Sequence, residues 1–152
     1  MTTKWSHLPN AAHIDAVLAS VKANPDEWSA AWDAALDAAL DAALDAALGA
    51  ARDVAWGAAR GEARGAAYDV AWGVAWSVAR DAARGAAWSA ALDAAWSAIL
   101  ALIAYDDCAH MLDSDPDDLR ILSKLGSNAA TLMIPASIAF KNIREKEKLP
   151  VD

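Results

Sequence analysis

A chain of 152 residues has the length of one domain. Hydrophobic residues make up 57% of it, but much of that share is alanine, which leaves eight tryptophans to fill much of a core. A net charge of −8 excludes the basic footprint of a general nucleic-acid binder and fits a cytoplasmic protein, and the lone Cys108 excludes an internal disulfide and a multi-cysteine zinc site.

The first zone, residues 1–25, is ordinary sequence. Its opening "MTTKWSHLPN" has no apolar signal core. In "AAHIDAVLASVKAN" the residues Ile14, Val17, Leu18 and Val21 recur at helical spacing and predict an N-terminal helix. Asn24, Pro25 and Glu27 then form the pattern of a capping box, with Asn24 as the cap of a new helix.

The second zone, residues 26–112, is a tract with a four-residue beat. From Trp28 to Leu100 a large residue returns every fourth position, and from Ala31 to Ala95 the residue before it is always alanine. The residue after it is Asp, Gly or Ser. Ala, Leu and Arg favour helix and no proline interrupts, so the tract is helical. Each step of four advances the large residue about 40° round a helix. One unbroken helix over 28–112 would run about 130 Å and turn its tryptophans in every direction. The expected answer is a fold-back into segments of about 12–20 residues. The cheapest breaks are Gly49, Gly57, Gly61, Gly65, Gly73 and Gly85. Small alanines let helix axes approach closely. The expected architecture is therefore all-α: one compact, alanine-rich multi-helix bundle with tryptophan wedges. The alternative is a long helical hairpin that buries its remaining face by forming a homo-oligomer.

Charge is unevenly spread along the tract. Asp33, Asp37, Asp41 and Asp45 form an acidic row, and every Lys or Arg between 28 and 112 is an arginine: Arg52, Arg60, Arg64, Arg80 and Arg84. Helical neighbours lie three or four apart. Asp69 and Asp93, like the acidic row, lie three before a Leu or Trp. Gly49, Gly57, Gly61 and Ser77 lie three before four of the arginines, and only Arg84 has an acid there, Asp81. Two readings follow. In one, the arginines pair across helices with the acidic row and lock helix order. In the other, they converge on an anion, and Trp56, Tyr68, Trp72, Trp76 and Trp88, interleaved with them, offer faces for a base. Core packing is the competing role for most of the tryptophans.

At the tract's end, "AYDDCAHML" sets Asp106 and Asp107 three to four before His110. That spacing suits a secondary site, or a local hydrogen bond between Asp107 and His110, but one histidine and two acids are incomplete for zinc, so no metal is expected. Cys108 reads as a small buried residue. The apolar run "AAWSAILALIAY" is short for a membrane span, so no membrane insertion is expected.

The third zone, residues 113–152, predicts C-terminal helices. Asp115 caps the first, Pro116 opens it and Gly126 stops it. A second starts near Ser127 and contains Pro135, which should kink it and leave a carbonyl one turn earlier without its helical partner. No phosphate loop, serine elbow or zinc-protease pair occurs, so an enzyme is the weaker class and no cofactor is expected.

The stutter, with "ALIAYDDCAHMLDSDPDDL" and "LGSNAATLMIPASIAF", resembles a group of small alanine-rich helical proteins of phage and bacterial genomes labelled immunity proteins. The resemblance spans residues 28–140 and implies an all-helical, non-enzymatic protein acting in microbial conflict. Three functions are in view. The first is sequestration of a small anionic aromatic ligand such as a cyclic nucleotide signal, in phage counter-defence. The second is an immunity module whose acidic surface covers a basic protein toxin. The third is a structural helical assembly.

Overall fold

The computed structural model describes residues 3–57 and 61–148. Among them the protein is an all-α multi-helix bundle. Its helices are α1 (Ala11–Ala23), α2 (Pro25–Ala35), α3 (Ala38–Ala55), α4 (Gly61–Ala82), α5 (Ala86–Ala104), α6 (Pro116–Lys124) and α7 (Asn128–Glu147), with a 3₁₀ turn at Ala109–Asp113.

The repetitive tract folds into four helices rather than one rod. Its invariant alanines explain the beat. Ala31 and Ala35 of α2, Ala47, Ala51 and Ala55 of α3, Ala67, Ala71, Ala75 and Ala79 of α4, and Ala91 and Ala95 of α5 are all buried. Residues spaced by four form one of the two ridges along which helices pack, and a ridge of alanine brings the neighbouring axis close. The position after the large residue faces water at Asp33, Asp41, Asp45, Asp53 and Asp69.

Both positions drift, with Ala39 and Ala63 exposed and Gly61, Gly65 and Ser97 buried, and the large residue between them drifts as well. In α3, Leu40 and Leu44 are buried, Leu48 is half-buried, and Arg52 and Trp56 are exposed. The change from leucine to arginine occurs where the 40° drift carries the row out of the core. In α5 the row moves inward, from half-buried Trp88 to buried Leu92, Trp96 and Leu100. The tryptophans therefore do less of the filling than their number suggests. Trp5, Trp28 and Trp96 are buried, Trp32, Trp76 and Trp88 are half-buried, and Trp56 and Trp72 are exposed. Leu, Ile and Met of α5 and α7 supply the bulk instead, because alanine ridges leave only narrow gaps to fill.

Helix α5 is the axis of the bundle and packs on α1, α2, α3, α4 and α7. Every residue from Ala94 to Ala104 is buried. Its 19 residues are long and apolar enough to cross a membrane by length and composition, more than the run read from sequence. Here neighbouring helices cover it. Side chains from elsewhere satisfy its C-terminal carbonyls. Asn10 Nδ2 donates to the Leu102 carbonyl at 3.0 Å, Arg64 to that of Ile103, and Cys108 Sγ to that of Ala101 at 3.4 Å.

The breaks follow the glycines only in part. Gly85, at φ +68°, ends the α4–α5 turn, where only glycine is unstrained, and Gly57 follows α3. Gly49, Gly65 and Gly73 lie inside helices, and α4 starts at Gly61. The first break, at Leu36–Asp37, has no glycine. Asp37 is extended there and caps α3, its carboxylate accepting from the Leu40 N–H at 2.8 Å. Arg120 of α6 reaches both the Asp37 carboxylate and the Ala35 carbonyl at 3.5 Å. The resulting segments of 11, 18, 22 and 19 residues slightly exceed the expected range at both ends.

Asp115 caps α6 through the Asp117 N–H at 2.8 Å, and Ser127 caps α7 through the Ala130 N–H at 3.1 Å. Helix α7 continues through Pro135. Asn24 departs from the capping box. Its amide donates back to the Ser20 carbonyl at the end of α1, at 3.3 Å, and Glu27 accepts from Lys146 at 2.6 Å instead. The one-residue link between α1 and α2 makes Asn24 the end of one helix as well as the start of the next.

Candidate functional site

The sequence placed ten residues in one candidate site, and the structure distributes them. Arg64 and Arg80 lie sixteen residues apart on α4, about 24 Å along its axis at the standard rise. No small ligand spans that distance. Arg60 lies outside the described residues.

Arg64 is buried and paired. Its guanidinium meets Asp106 at 2.6 Å and the Ile103 carbonyl. Its partner is thus neither a ligand nor the acidic row at 33–45, but the chain just beyond the end of α5. That places Asp106 in a structural pair. Asp107 and His110 are exposed, and no hydrogen bond joins them among the described residues. Cys108 is buried between them in sequence, and burial pushes its thiol up to about 12.

Arg52 and Arg80 meet rings rather than carboxylates. Arg80 stands over Trp76, 5.0 Å from the ring centre, and Trp76 packs edge-on against Trp88 at 5.8 Å. Arg84 is exposed after α4. Among the described residues none of Arg52, Arg80 and Arg84 makes an ion pair.

Two of the glycines next to these arginines are packing positions. A Cβ on Gly65 would come within 2.6 Å of the Trp56 ring, and one on Gly61 within 2.8 Å of the Trp56 carbonyl. The close approach to the backbone that glycine permits is used by Trp56, which folds the end of α3 onto the first turns of α4.

What the helices do bring together is an aromatic-walled cavity of about 330 Å³ between α3, α4 and α5. It is lined by Leu48 and Arg52 of α3, Tyr68, Asp69 and Trp72 of α4, and Asp93 and Trp96 of α5. Trp96 is the hub, with Tyr68 and Trp72 each packed edge-on against it at 5.0 Å. Trp56 extends the array through Tyr68 at 6.4 Å. Arg52 lies 6.0 Å from the Tyr68 ring centre. Trp72 is 41% exposed, so its indole is still open to a stacking partner. Asp93 is exposed, and partial desolvation by its neighbours holds its carboxyl above the ordinary range.

Arg52, Tyr68 and Trp72 were candidates from the sequence. Asp69, Asp93 and Trp96 were not. The spacing held the signal, because both acids lie three residues before a tryptophan of the cavity and share its helix face.

A larger, mostly apolar groove of about 680 Å³ runs along the outer face of α4, lined by Val70, Val74 and Val78 with Lys22 of α1. It has no aromatic wall.

No family model, curated protein or solved structure matches the chain.

Proposed function

We propose that this protein is a non-enzymatic binding module that holds a small, flat aromatic ligand bearing an anionic group, of the nucleotide type, in the α3–α4–α5 cavity. The observation that carries this reading is the wall of Tyr68, Trp72 and Trp96 with Arg52 beside it. A cavity of this size is at the small end of those that enclose ligands. A base stacked on Trp72 gains about 1–3 kcal/mol. A charge-assisted hydrogen bond from Arg52 to a phosphate adds about 1.5–3 kcal/mol. The lining groups are ones that stack and hold charge, which supports retention rather than conversion. In the setting that the resemblance to immunity proteins implies, such a module acts by keeping a nucleotide signal from its receptor.

Isothermal calorimetry against nucleoside monophosphates and cyclic mononucleotides tests this. Binding of at least one of them, weakened tenfold or more in both Trp72→Ala and Arg52→Gln, is expected. No heat from any member of the panel sinks the reading.

A second reading rests on the acidic row. Asp33, Asp41 and Asp45 remain exposed, whereas Asp37 is engaged by its cap and by Arg120. Exposed carboxylates of this kind suit a basic protein surface. Salt-sensitive capture of a basic toxin, lost on changing these three residues to Asn, would favour it.

A further inference from the structure

The α3–α4–α5 cavity carries one cation, Arg52, and two carboxylates, Asp69 and Asp93. A bare phosphate is a poor match, since the acids outnumber the arginine. The ligand that suits the cavity has an anion at one end and a row of N–H donors at the other.

The two carboxylates are not equivalent. Asp69 also borders the outer groove of α4, where Lys22 and water reach it. Asp93 belongs only to the aromatic cavity among these grooves. It makes no side-chain hydrogen bond or ion pair among the described residues. Asp93 is exposed overall, and partial desolvation of its carboxyl raises its pKa, as befits a carboxylate short of donors. It lies three residues before Trp96, so it stands on the same face of α5 as the hub of the aromatic array. Asp93 lines the same cavity as the rings of that array.

A carboxylate presents two acceptors side by side and no donor. Among the common bases only guanine answers it, with adjacent ring and exocyclic N–H donors on one edge. Adenine and cytosine set a ring acceptor beside their amino group, and uracil flanks its single N–H with two carbonyls. In each of these a lone pair would face the carboxylate. We propose, on the basis of the binding reading above, that Asp93 reads the base and makes the site selective for a guanine nucleotide, with its phosphate toward Arg52.

The test is calorimetry of the full chain with GMP, AMP, CMP and UMP, on the parent and on Asp93→Asn, with circular dichroism to confirm the fold of the variant. The parent should prefer GMP by about tenfold, the scale of a charge-assisted hydrogen bond at a partly desolvated carboxylate. Asp93→Asn should weaken GMP about 10–100-fold and leave AMP unchanged or tighter, since an amide offers the donor and acceptor that adenine complements. That reversal is not a consequence of general damage, which would weaken all four. If all four bind the parent equally and Trp72→Ala weakens them together, the cavity binds nucleotides but Asp93 does not choose among them. If none binds, the nucleotide reading of the cavity falls, and this proposal with it.

Discussion

Arg64 offers the sharpest test of how the bundle is held. Its side chain is 6% exposed and joins the start of α4 to the C-terminal end of α5 through the Ile103 carbonyl and Asp106. Arg64→Met keeps the length and apolar stem of the side chain and removes its donors. The Ile103 carbonyl, wholly buried, then lacks that partner, at a cost of about 1–3 kcal/mol. A cation is also lost from a helix C-terminus, a partly buried setting worth up to about 2 kcal/mol. Removing a desolvated guanidinium returns part of this. The net expectation is a loss of about 2–4 kcal/mol. At about 2–4 °C per kcal/mol for a chain of this size, the melting temperature should fall by about 5–15 °C. Arg64→Lys should recover less than half, because an ammonium lacks the planar fork that serves carbonyl and carboxylate together. Asp106→Asn should cost far less, because that side chain is 37% exposed and water can replace much of the pair. Thermal denaturation followed by circular dichroism checks all three. A melting temperature for Arg64→Met within about 2 °C of the parent would refute the structural role. If the same variant also lost nucleotide binding, Arg64 would return to the ligand site.

Glycine substitutions separate open positions from packed ones. Gly49→Ala and Gly73→Ala meet nothing within 4 Å and should each stabilise their helix by about 0.5–1 kcal/mol, whereas Gly61→Ala drives a Cβ into the Trp56 carbonyl and should lower the denaturation midpoint. The hydrogen bond from Lys146 holds Glu27 below its ordinary pKa, so its stabilisation is present above the unfolded value near 4.5 and is lost as pH falls through the folded one. Glu27→Gln should therefore lower stability at pH 7 and leave it nearly unchanged at pH 3, read from urea midpoints at both. With its thiol pushed up to about 12 by burial, Cys108 should resist iodoacetamide at pH 8 in the folded protein and react promptly in urea, as intact mass would show.

What the sequence discloses depends on how local the cause is. Asp115 and Ser127 are legible as caps because the groups they bind lie within three residues. The break at Asp37 is not. Asp33, Asp41 and Asp45 offer the same cap chemistry in the same repeat, so nothing local distinguishes them. What singles out Asp37 is Arg120, 83 residues downstream, which holds both it and the end of α2. Asn24 was misread for a related reason, because the preceding helix ends one residue earlier and takes its amide. The candidate site divides in the same way. Arg52, Tyr68 and Trp72 were visible as a cation and two rings, but the separation of Arg64 from Arg80 depends on α4 running unbroken past Gly65 and Gly73. Trp96 is buried. Its second role, as the back wall between Tyr68 and Trp72, exists only once α4 lies across α5.

The four-residue beat accounts for both the packing and the place of the cavity. Positions spaced by four drift together about 40° per step, so over part of each helix an alanine ridge faces the neighbouring helix while the large residue beside it moves toward or away from the core. Helices α3 and α5 therefore carry their large residues across the boundary between core and surface, each at a position set by where that helix starts. In α3 the crossing falls between Leu48 and Arg52 and in α5 between Trp88 and Leu92, whereas in α4 the row is half-buried at Tyr68, exposed at Trp72 and half-buried again at Trp76. The cavity sits where the α3 crossing and the exposed turn of α4 at Trp72 meet the outer side of Trp96. A length change of four residues turns the rest of a helix by about 40°, whereas a change of one turns it by about 100°. The first keeps the alanine ridge in register and slides the crossing point by one large residue. The second, as a deletion, puts the large residue into the ridge. A repeat of this period can thus lengthen or shorten in whole units without losing its core, and the identity of the residue at the crossing, leucine, arginine or tryptophan, is left to decide what the surface there can bind.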